Sequence, residues 1–183
     1  MDRARALSPA SPPSRLGPVV APVPLQQIFR QHAPFVASLA YRLTGRNDEV
    51  DDIVQDVFMV AIRGMSALRD PSAVRQWLAT GTVRLARKRL RTLRLRRWVG
   101  LDDAPEYETL AAPGATPEDR ALLARIYEVL ERLPADHRVS WSLRHVEGYD
   151  LDSVAGMCGC SLATAKRWIA AAHAELERAV SDG

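Results

Sequence analysis

From Leu25 onward, the pattern of hydrophobic and polar residues has the period of an α-helix. Residues that can lie on one buried side recur at helical spacing, at Leu25, Ile28, Phe29, His32, Phe35, Val36, Leu39 and Leu43. This spacing predicts an amphipathic helix that buries one side. Pro34 is expected to kink or restart this helix, because proline lacks the N–H that a helix interior uses. Gly45 is expected to end it with a left-handed cap.

Two further helices are predicted before residue 100. Asn47 is a favourable N-cap for the first of them, with Asp48 in its opening turn. Its apolar stripe comprises Val50, Ile53, Val54, Val57, Phe58, Ala61, Ile62 and Met65, which leaves Asp51, Asp52, Gln55 and Asp56 facing outward. The pair Asp70–Pro71 marks the start of the next helix, whose apolar positions are Val74, Trp77, Leu78, Leu85 and Leu90.

The last third of the chain predicts four more helices. Thr116 followed by Pro117 opens the first, and Pro134 ends it. Short helices follow at about 136–146 and 151–158, the second capped by Asp150. Gly159 supplies a tight turn, and Ser161 caps a final helix with the apolar stripe Leu162, Ala165, Ile169, Ala172, Leu176 and Val180. No alternating strand pattern occurs, so the predicted fold class is all-α.

Changes in composition divide the chain into four segments. Residues 1–24 are rich in proline, serine and alanine and are predicted to be a disordered tail. Residues 25–99 and 117–183 are predicted to form two small helical domains. Residues 100–116 are acidic and contain two prolines and two glycines, which indicates a flexible linker between those domains.

The overall composition excludes several classes of protein. The 183 residues carry a formal net charge of only +3, and no apolar run reaches the roughly 20 residues of a membrane span. Cys158 and Cys160 are one residue apart, which fits neither a disulfide framework nor a complete metal site. They are expected to pack as small hydrophobic residues, with redox or metal chemistry as the alternative. A reducing, cytoplasmic setting is expected.

The strongest functional signal is the arrangement of the last two helices. A short helix, a turn containing Gly159 and a longer helix are typical of a helix-turn-helix, whose second helix enters the major groove of DNA. The apolar stripe leaves an outward face that comprises Ala163, Thr164, Lys166, Arg167, Ala170 and His173. The alternative is a plain helical hairpin with a solvated face.

A basic run precedes the linker. It comprises Arg84, Arg87, Lys88, Arg89, Arg91, Arg94, Arg96 and Arg97, with no acidic residue among them. Such a density of positive charge favours a polyanionic partner, although a solvated helix end is the alternative. Trp98 could stack on a base, but a buried position at a hinge is the preferred interpretation.

An acidic face lies on the second predicted helix. Asp48, Asp52 and Asp56 are four positions apart and share one side. The face could be solvated or could dock a basic surface of another protein. A third hypothesis, Mg²⁺ ligation in a nuclease, has little support, because the sequence offers neither a second carboxylate cluster nor an HxxxH pair.

The order of these features resembles one family, the extracytoplasmic-function (ECF) RNA polymerase sigma factors. Residues 28–99 resemble their core-binding and −10-binding domain through the segments IFRQHAPFV (28–36), YRLTG (41–45), DEVDDIVQDVF (48–58) and RQWL (75–78), followed by the basic run. Residues 121–180 resemble their −35-binding domain through VLERLPADHR (129–138), LRHVEGYD (143–150), SVAGMCGCS (153–161) and ATAKRWI (163–169).

The resemblance implies an alternative sigma factor that is not an enzyme and needs no cofactor or metal. It implies partners: core RNA polymerase, through the clamp of its largest catalytic subunit, promoter DNA, and an anti-sigma factor. The implied polymerase-binding residues are Asp51, Asp52, Val54, Gln55, Asp56 and Phe58. Those for the −10 element are Arg75, Trp77, Thr80, Arg84, Arg87, Lys88 and Arg91. Those for the −35 element are Ser161, Ala163, Thr164, Lys166, Arg167, Ala170 and His173.

This sequence departs from the family pattern in places. The stretch after Leu78 reads Ala79-Thr80-Gly81-Thr82-Val83, where the family usually carries a basic residue followed by asparagine. The last helix carries Trp168, Ala170 and His173 at positions that are often more basic. A stand-alone helix-turn-helix regulator, with an N-terminal sensing or dimerisation domain, is the alternative function.

Overall fold

The computed structural model of the chain describes residues 25–64, 73–101 and 114–181. These residues form seven α-helices and contain no strand, so the all-α prediction is confirmed. The helices are α1 (Leu25–Thr44), α2 (Val50–Gly64), α3 (Val74–Trp98), α4 (Pro117–Arg132), α5 (Ala135–His145), α6 (Leu151–Cys158) and α7 (Leu162–Ser181). The expectations for the 1–24 tail, Met65, Asp70–Pro71 and most of the linker fall outside the described residues. Among the helices of the described residues, we find no candidate for a membrane-spanning segment.

Helix α1 forms one element through Pro34, so of the two expected outcomes, a kink or a restart, the restart does not occur. Pro34 lies on the exposed side, where the backbone carbonyl that loses its partner can bind water. The opposite side of the helix is held by Val36 and Leu39, which are fully buried. The predicted cap is confirmed: Gly45 has φ of 65°, and its N–H donates to the carbonyl of Tyr41 at 2.7 Å.

Helix α2 packs against α1 and α3 through a narrower stripe than the sequence pattern indicates. It starts at Val50, after a turn in which the Asn47 carbonyl accepts from the Val50 N–H at 3.2 Å. Ile53, Val57 and Ala61 are buried. Ile62 was predicted to be part of the stripe but is 53% exposed, because α1 and α3 cover only the side of the last turn that carries Ala61.

The apolar core runs continuously from the first three helices into the last three. One cluster of buried residues contains Leu39 and Leu78 together with Val139 and Met157. Helix α5 packs on α1 and α3, and α6 packs on α3. The described residues of 25–101 and those of 114–181 therefore lie against each other in this structure.

The helix ends after residue 114 follow the predicted capping chemistry. The Thr116 side chain and Asp119 form a reciprocal capping box at the start of α4. The Asp150 carboxylate accepts from the Ser153 N–H at 2.7 Å at the start of α6. Gly159 ends α6 with φ of 63°, in the left-handed region. Gly159 therefore supplies the short turn between α6 and α7 that the helix-turn-helix prediction requires.

Candidate nucleic-acid interface

The outward face of α7 lies where the sequence predicts it. Exposed residues on this face are Ser161, Ala163, Lys166, Arg167, Ala170 and His173, with Thr164 half-buried. Ala165, Ile169, Ala172 and Leu176 are buried and hold the helix to the domain. Leu162 was predicted to belong to that stripe, but it is 37% exposed. It lies in the first turn beside exposed Ser161 and Ala163, so the covered stripe begins at Ala165.

The first turn of α7 uses its hydroxyl groups for capping. The Ser161 hydroxyl accepts from the Thr164 N–H at 3.2 Å, and the two side-chain oxygens are 2.9 Å apart. The next turn presents Lys166 and Arg167 to solvent. The N-terminal half of α7 therefore combines a helix terminus with two adjacent cations, which suits contact with phosphate groups.

The basic run forms the C-terminal half of α3. Arg84, Lys88 and Arg91 are exposed along one side of the helix. Arg87 has a different environment, because its side chain is only 14% exposed. The residues predicted for the −10 contact on this part of α3 therefore differ in exposure. Arg84, Lys88 and Arg91 lie on the surface, whereas Arg87 is enclosed between helices.

Arg87 is held by helices from the other end of the chain. Its Nε donates to Oδ1 of Asp136 at 2.7 Å, and its Nη1 donates to the carbonyl of Cys158. Its guanidinium carbon lies 5.9 Å from the centre of the Trp168 ring on α7. Arg91 donates to both carboxylate oxygens of Asp136, at 2.9 and 3.0 Å.

Asp136 therefore receives hydrogen bonds from arginines of α3 while lying in the first turn of α5. Partial burial by itself would raise the pKa of this carboxyl. The hydrogen bonds from Arg87 and Arg91, together with their positive charges, outweigh burial and hold the pKa of Asp136 below its ordinary value. The carboxylate form is the one that this arrangement stabilises.

The remaining residues predicted for the −10 contact lie near the start of α3. The Arg75 guanidinium lies 4.0 Å from the centre of the Phe35 ring, a cation–π contact with α1. Trp77 is half-buried and packs so closely on Gly64 that a Cβ there would lie 3.1 Å from its ring. Thr80 donates its hydroxyl to the carbonyl of Gln76 at 2.9 Å.

Trp98 is 85% exposed, so its predicted burial at a hinge was wrong. It lies at the end of α3, where Leu95, Val99 and Leu101 are also exposed. The exposed Arg91 and Arg94 lie beside Leu95 and Trp98. The end of the helix therefore combines apolar surface and positive charge.

The acidic face of α2 is engaged by α3. Arg89 lies 3.2 Å from Asp56 and 3.6 Å from both Glu49 and Asp52. The carboxylates thus surround a guanidinium, and among the described residues no group of three or more His, Cys, Asp or Glu is arranged to hold a metal ion. The Mg²⁺-enzyme hypothesis gains no support from this arrangement.

Other residues of the predicted polymerase-binding group differ in exposure. Asp51 and Gln55 are exposed, and Val54 is partly buried. Phe58 is buried and contacts the Phe29 ring edge-on, with ring centres 4.8 Å apart. Phe58 therefore supports the surface from beneath, whereas Asp51 and Gln55 lie on it.

Cys158 and Cys160 are free thiols at the end of α6 and in the turn that follows. Cys158 is buried in the core cluster, and burial raises its pKa to about 11. A thiol with so high a pKa stays protonated at neutral pH and is a poor nucleophile. The prediction that Cys158 packs as a hydrophobic residue is confirmed.

Sequence reasoning missed the polar contacts that join the two halves of the chain. Arg138 is only 2% exposed, and its Nε donates to the carbonyl of Leu43 at 3.0 Å. The Tyr127 hydroxyl donates to the carbonyl of Arg42 at 2.8 Å, and the Arg42 Nη2 donates to Glu147 at 2.9 Å. No local pattern marks these residues, because their partners lie far away in the sequence.

A helix-turn-helix with an exposed basic face, packed beside a second basic helix, defines a helical nucleic-acid-binding protein. Residues 28–96 match the family described as Sigma-70 region 2. Among curated relatives, the ECF RNA polymerase sigma factor SigM of Mycobacterium tuberculosis is 31% identical over 153 residues, covering 83% of this chain and 74% of SigM. The ECF RNA polymerase sigma-E factor of Escherichia coli is 30% identical over 155 residues, covering 79% and 80%. The chain belongs to the ECF sigma factors, and its function is that of an alternative sigma factor that directs transcription initiation.

Two further comparisons show how far the similarity in sequence and in fold extends. The match to the ECF RNA polymerase sigma factor SigE of Mycolicibacterium smegmatis is 29% identical and spans 55% of that protein's length. A solved structure of the sigma factor RpoE in complex with the anti-sigma factor NepR, from Bartonella quintana, has a TM-score of 0.63. It is 23% identical and covers 85% of this chain and 96% of the RpoE chain, which supports the fold assignment.

Proposed function

We propose that this chain binds core RNA polymerase and directs it to promoters through two DNA contacts, one made by α7 and one by α3. The observation that carries the proposal is the presence of separate basic faces on one chain that belongs to the sigma factors. Lys166 and Arg167 lie on one face, and Arg84, Lys88 and Arg91 on the other. Each face is small, so the tether through polymerase supplies the affinity that neither has alone.

The α7 face is proposed to read the −35 element in the major groove. An α-helix fits that groove, and side chains of its first turns reach base edges. Lys166 and Arg167 carry the charge, whereas Ala163 and Ala170 allow close approach of the helix to the bases. His173 lies a turn further along, 3.3 Å from Glu177, and contacts the edge of the site.

The α3 face is proposed to bind the −10 element as it opens. Removing a base from the stack costs a few kcal/mol, which contacts with Arg84, Lys88 and Arg91 help to offset. Arg75, Trp77 and Thr80 line the start of the same helix, with Trp77 and Thr80 partly buried. This placement supports a role for them in receiving unpaired bases.

The outer face of α2 is proposed to contact the clamp of the largest catalytic subunit of polymerase. Asp51 and Gln55 are exposed on it, and Asp52 and Asp56 lie at its edge, facing Arg89. The acidic surface suits a basic partner. In this role the chain acts in the cytoplasm, contributes no catalysis of its own, and is held inactive by an anti-sigma factor until a signal releases it.

Run-off transcription with purified core polymerase on a library of genomic promoter fragments tests this function. We expect specific transcripts only when the chain is added, and loss of those transcripts in a double variant with Lys166→Ala and Arg167→Ala. Glu175→Ala, on the same helix but beyond this face, serves as the control. Absence of any chain-dependent transcript would contradict the proposal.

Gel filtration of the chain mixed with core polymerase separates this function from the alternative. A sigma factor elutes with the polymerase. A stand-alone regulator elutes apart from it, as a dimer that binds a palindromic site.

A further inference from the structure

Asp136, in the first turn of α5, is bound by two arginines of α3 that together have the chemistry of a phosphate-binding site. Arg87 donates to Oδ1 of its carboxylate at 2.7 Å, and Arg91 donates to Oδ1 and Oδ2 at 2.9 and 3.0 Å. Two guanidinium groups that converge on a pair of anionic oxygens also match the geometry of a phosphodiester. The carboxylate and a DNA phosphate therefore cannot use these donors at the same time.

Access to Arg87 depends on the position of α5, α6 and α7. Its side chain is 14% exposed, and it also donates to the Cys158 carbonyl at the end of α6. Trp168, on the helix-turn-helix, lies near its guanidinium. For Arg87 to reach a phosphate, α5, α6 and α7 must move away from α3.

Two further ion pairs between the two halves have the same charge pattern. Arg97 of α3 pairs with Glu131 of α4 at 3.0 Å, and Arg42 of α1 pairs with Glu147 after α5. Together with Asp136, the C-terminal half thus presents carboxylates to arginines of the N-terminal half. Ion pairs of this kind weaken as salt rises, most of all where they are partly exposed.

We infer that this chain has a closed state in which Asp136 acts as an internal competitor of DNA phosphate for Arg87 and Arg91. In that state the basic face of α3 is partly neutralised, and DNA binding by α3 is coupled to opening of the two halves. The inference rests on the proposed function of α3. It adds that Arg87 and Arg91 bind a backbone phosphate of DNA, and that the Asp136 carboxylate competes with this phosphate.

The test compares the full chain with Asp136→Asn, which keeps the size of the side chain and removes its charge. Binding of a short fluorescein-labelled DNA duplex of random sequence is measured by anisotropy, because phosphate contacts do not depend on sequence. We expect the variant to bind about five- to tenfold more tightly, the lower range of typical coupling between linked equilibria.

Two controls separate competition from a general loss of negative charge. Asp152→Asn removes the same charge from an exposed position on α6 and should bind the duplex as the parent chain does. In a chain that also carries Arg87→Ala and Arg91→Ala, Asp136→Asn should give no gain, because the site for which the two anions compete is absent. An equal gain from both Asp→Asn variants, or a gain that survives without the arginines, overturns the inference.

Hydrogen exchange on the unaltered chain gives an independent measurement, which decides the question if circular dichroism shows that Asp136→Asn does not fold. Amides of α5 should exchange faster when the duplex is added, whereas those of α2 should not. Unchanged or slower exchange in α5 overturns the inference. Run-off transcription by the parent chain tests the proposed function separately. If the chain supports transcription but Asp136→Asn does not change duplex binding, only the closed state is rejected.

Discussion

The Nε of Arg138 donates a hydrogen bond of 3.0 Å to the main-chain carbonyl of Leu43, across 95 positions of sequence. A second nitrogen of the same guanidinium donates to the carbonyl of Thr44. These carbonyls belong to the last turn of α1, where a helix leaves acceptors without intrahelical partners. Arg138 thus caps α1 from α5, and both Leu43 and Thr44 are fully buried beneath it.

Replacing this arginine should destabilise the protein. Arg138→Met keeps the aliphatic length but leaves buried carbonyls without donors, which we expect to lower the free energy of unfolding by about 2–4 kcal/mol. Urea titration followed by circular dichroism measures the change. The control is Arg132→Met, at an exposed position of α4, which should change it by less than about 0.5 kcal/mol. Equal losses in the two variants would contradict the capping role.

The helix-turn-helix offers a matched pair of glycines, one in its turn and one inside α6. Gly159 has φ of 63°, and a Cβ added there would meet no atom within 4 Å, so Gly159→Ala tests backbone strain alone. We expect a loss of about 1–2 kcal/mol in the free energy of unfolding. Gly156→Ala, inside α6 and equally free of steric contact, should stabilise the protein by about 0.5–1 kcal/mol. Thermal unfolding of both variants distinguishes these opposite signs, and two changes of the same sign would refute the argument.

Arg167 should contribute to promoter contact without contributing to stability. It is exposed on the outward face of α7, so Arg167→Ala should leave the melting temperature unchanged. Loss of one good base contact costs about 1–3 kcal/mol of binding, so transcription from a promoter bound by the chain should fall by about five- to 150-fold at limiting holoenzyme. Arg178→Ala is the control, because Arg178 lies on the same helix but pairs with Glu175 at 2.5 Å. A matching loss in the control would argue against a specific contact.

His145 should make the stability depend on pH. Its ring stacks on that of His173, with ring centres 5.4 Å apart and planes at 7° to each other. It also contacts the ring of Trp141, whose centre lies 5.1 Å from its own. Burial, followed by the charges of His173 and Arg144, lowers the pKa of His145. The unfolded chain therefore binds this proton more readily than the folded chain does, and stability falls as pH drops from the ordinary value near 6.5 through the lowered pKa.

Urea titrations at about pH 7.5 and about pH 5.5, on either side of the ordinary histidine pKa, measure this dependence. We expect a lower free energy of unfolding at the acid pH, and a smaller difference between the two values in His145→Gln. His32 and His137 also have pKa values lowered by burial, so part of the dependence should remain. A full difference in His145→Gln would show that the stacked pair does not contribute.

Much of the fold could be predicted because its signals are local. Thr116, Asp150 and Gly159 act on backbone groups within a few residues of themselves, and the helical period places apolar residues on one side whatever lies opposite. The predictions failed where a neighbour had to be known. Ile62 and Leu162 follow the apolar period but lie where no other helix covers them, and Trp98 is exposed because α3 ends in solvent.

By itself, the sequence determined the all-α fold, the helix boundaries near their caps, the outward face of α7 and the family to which the chain belongs. Those properties depend on period, turn chemistry and motif order, which act over short distances along the chain. Only the tertiary structure decided which partners the charged side chains meet. Arg84 and Arg87 belong to the same basic run, yet Arg84 is exposed, whereas Arg87 pairs with Asp136, 49 positions away. Such pairing depends on how α5 packs against α3, and the energies that set this packing are distributed over a buried core to which both halves of the chain contribute.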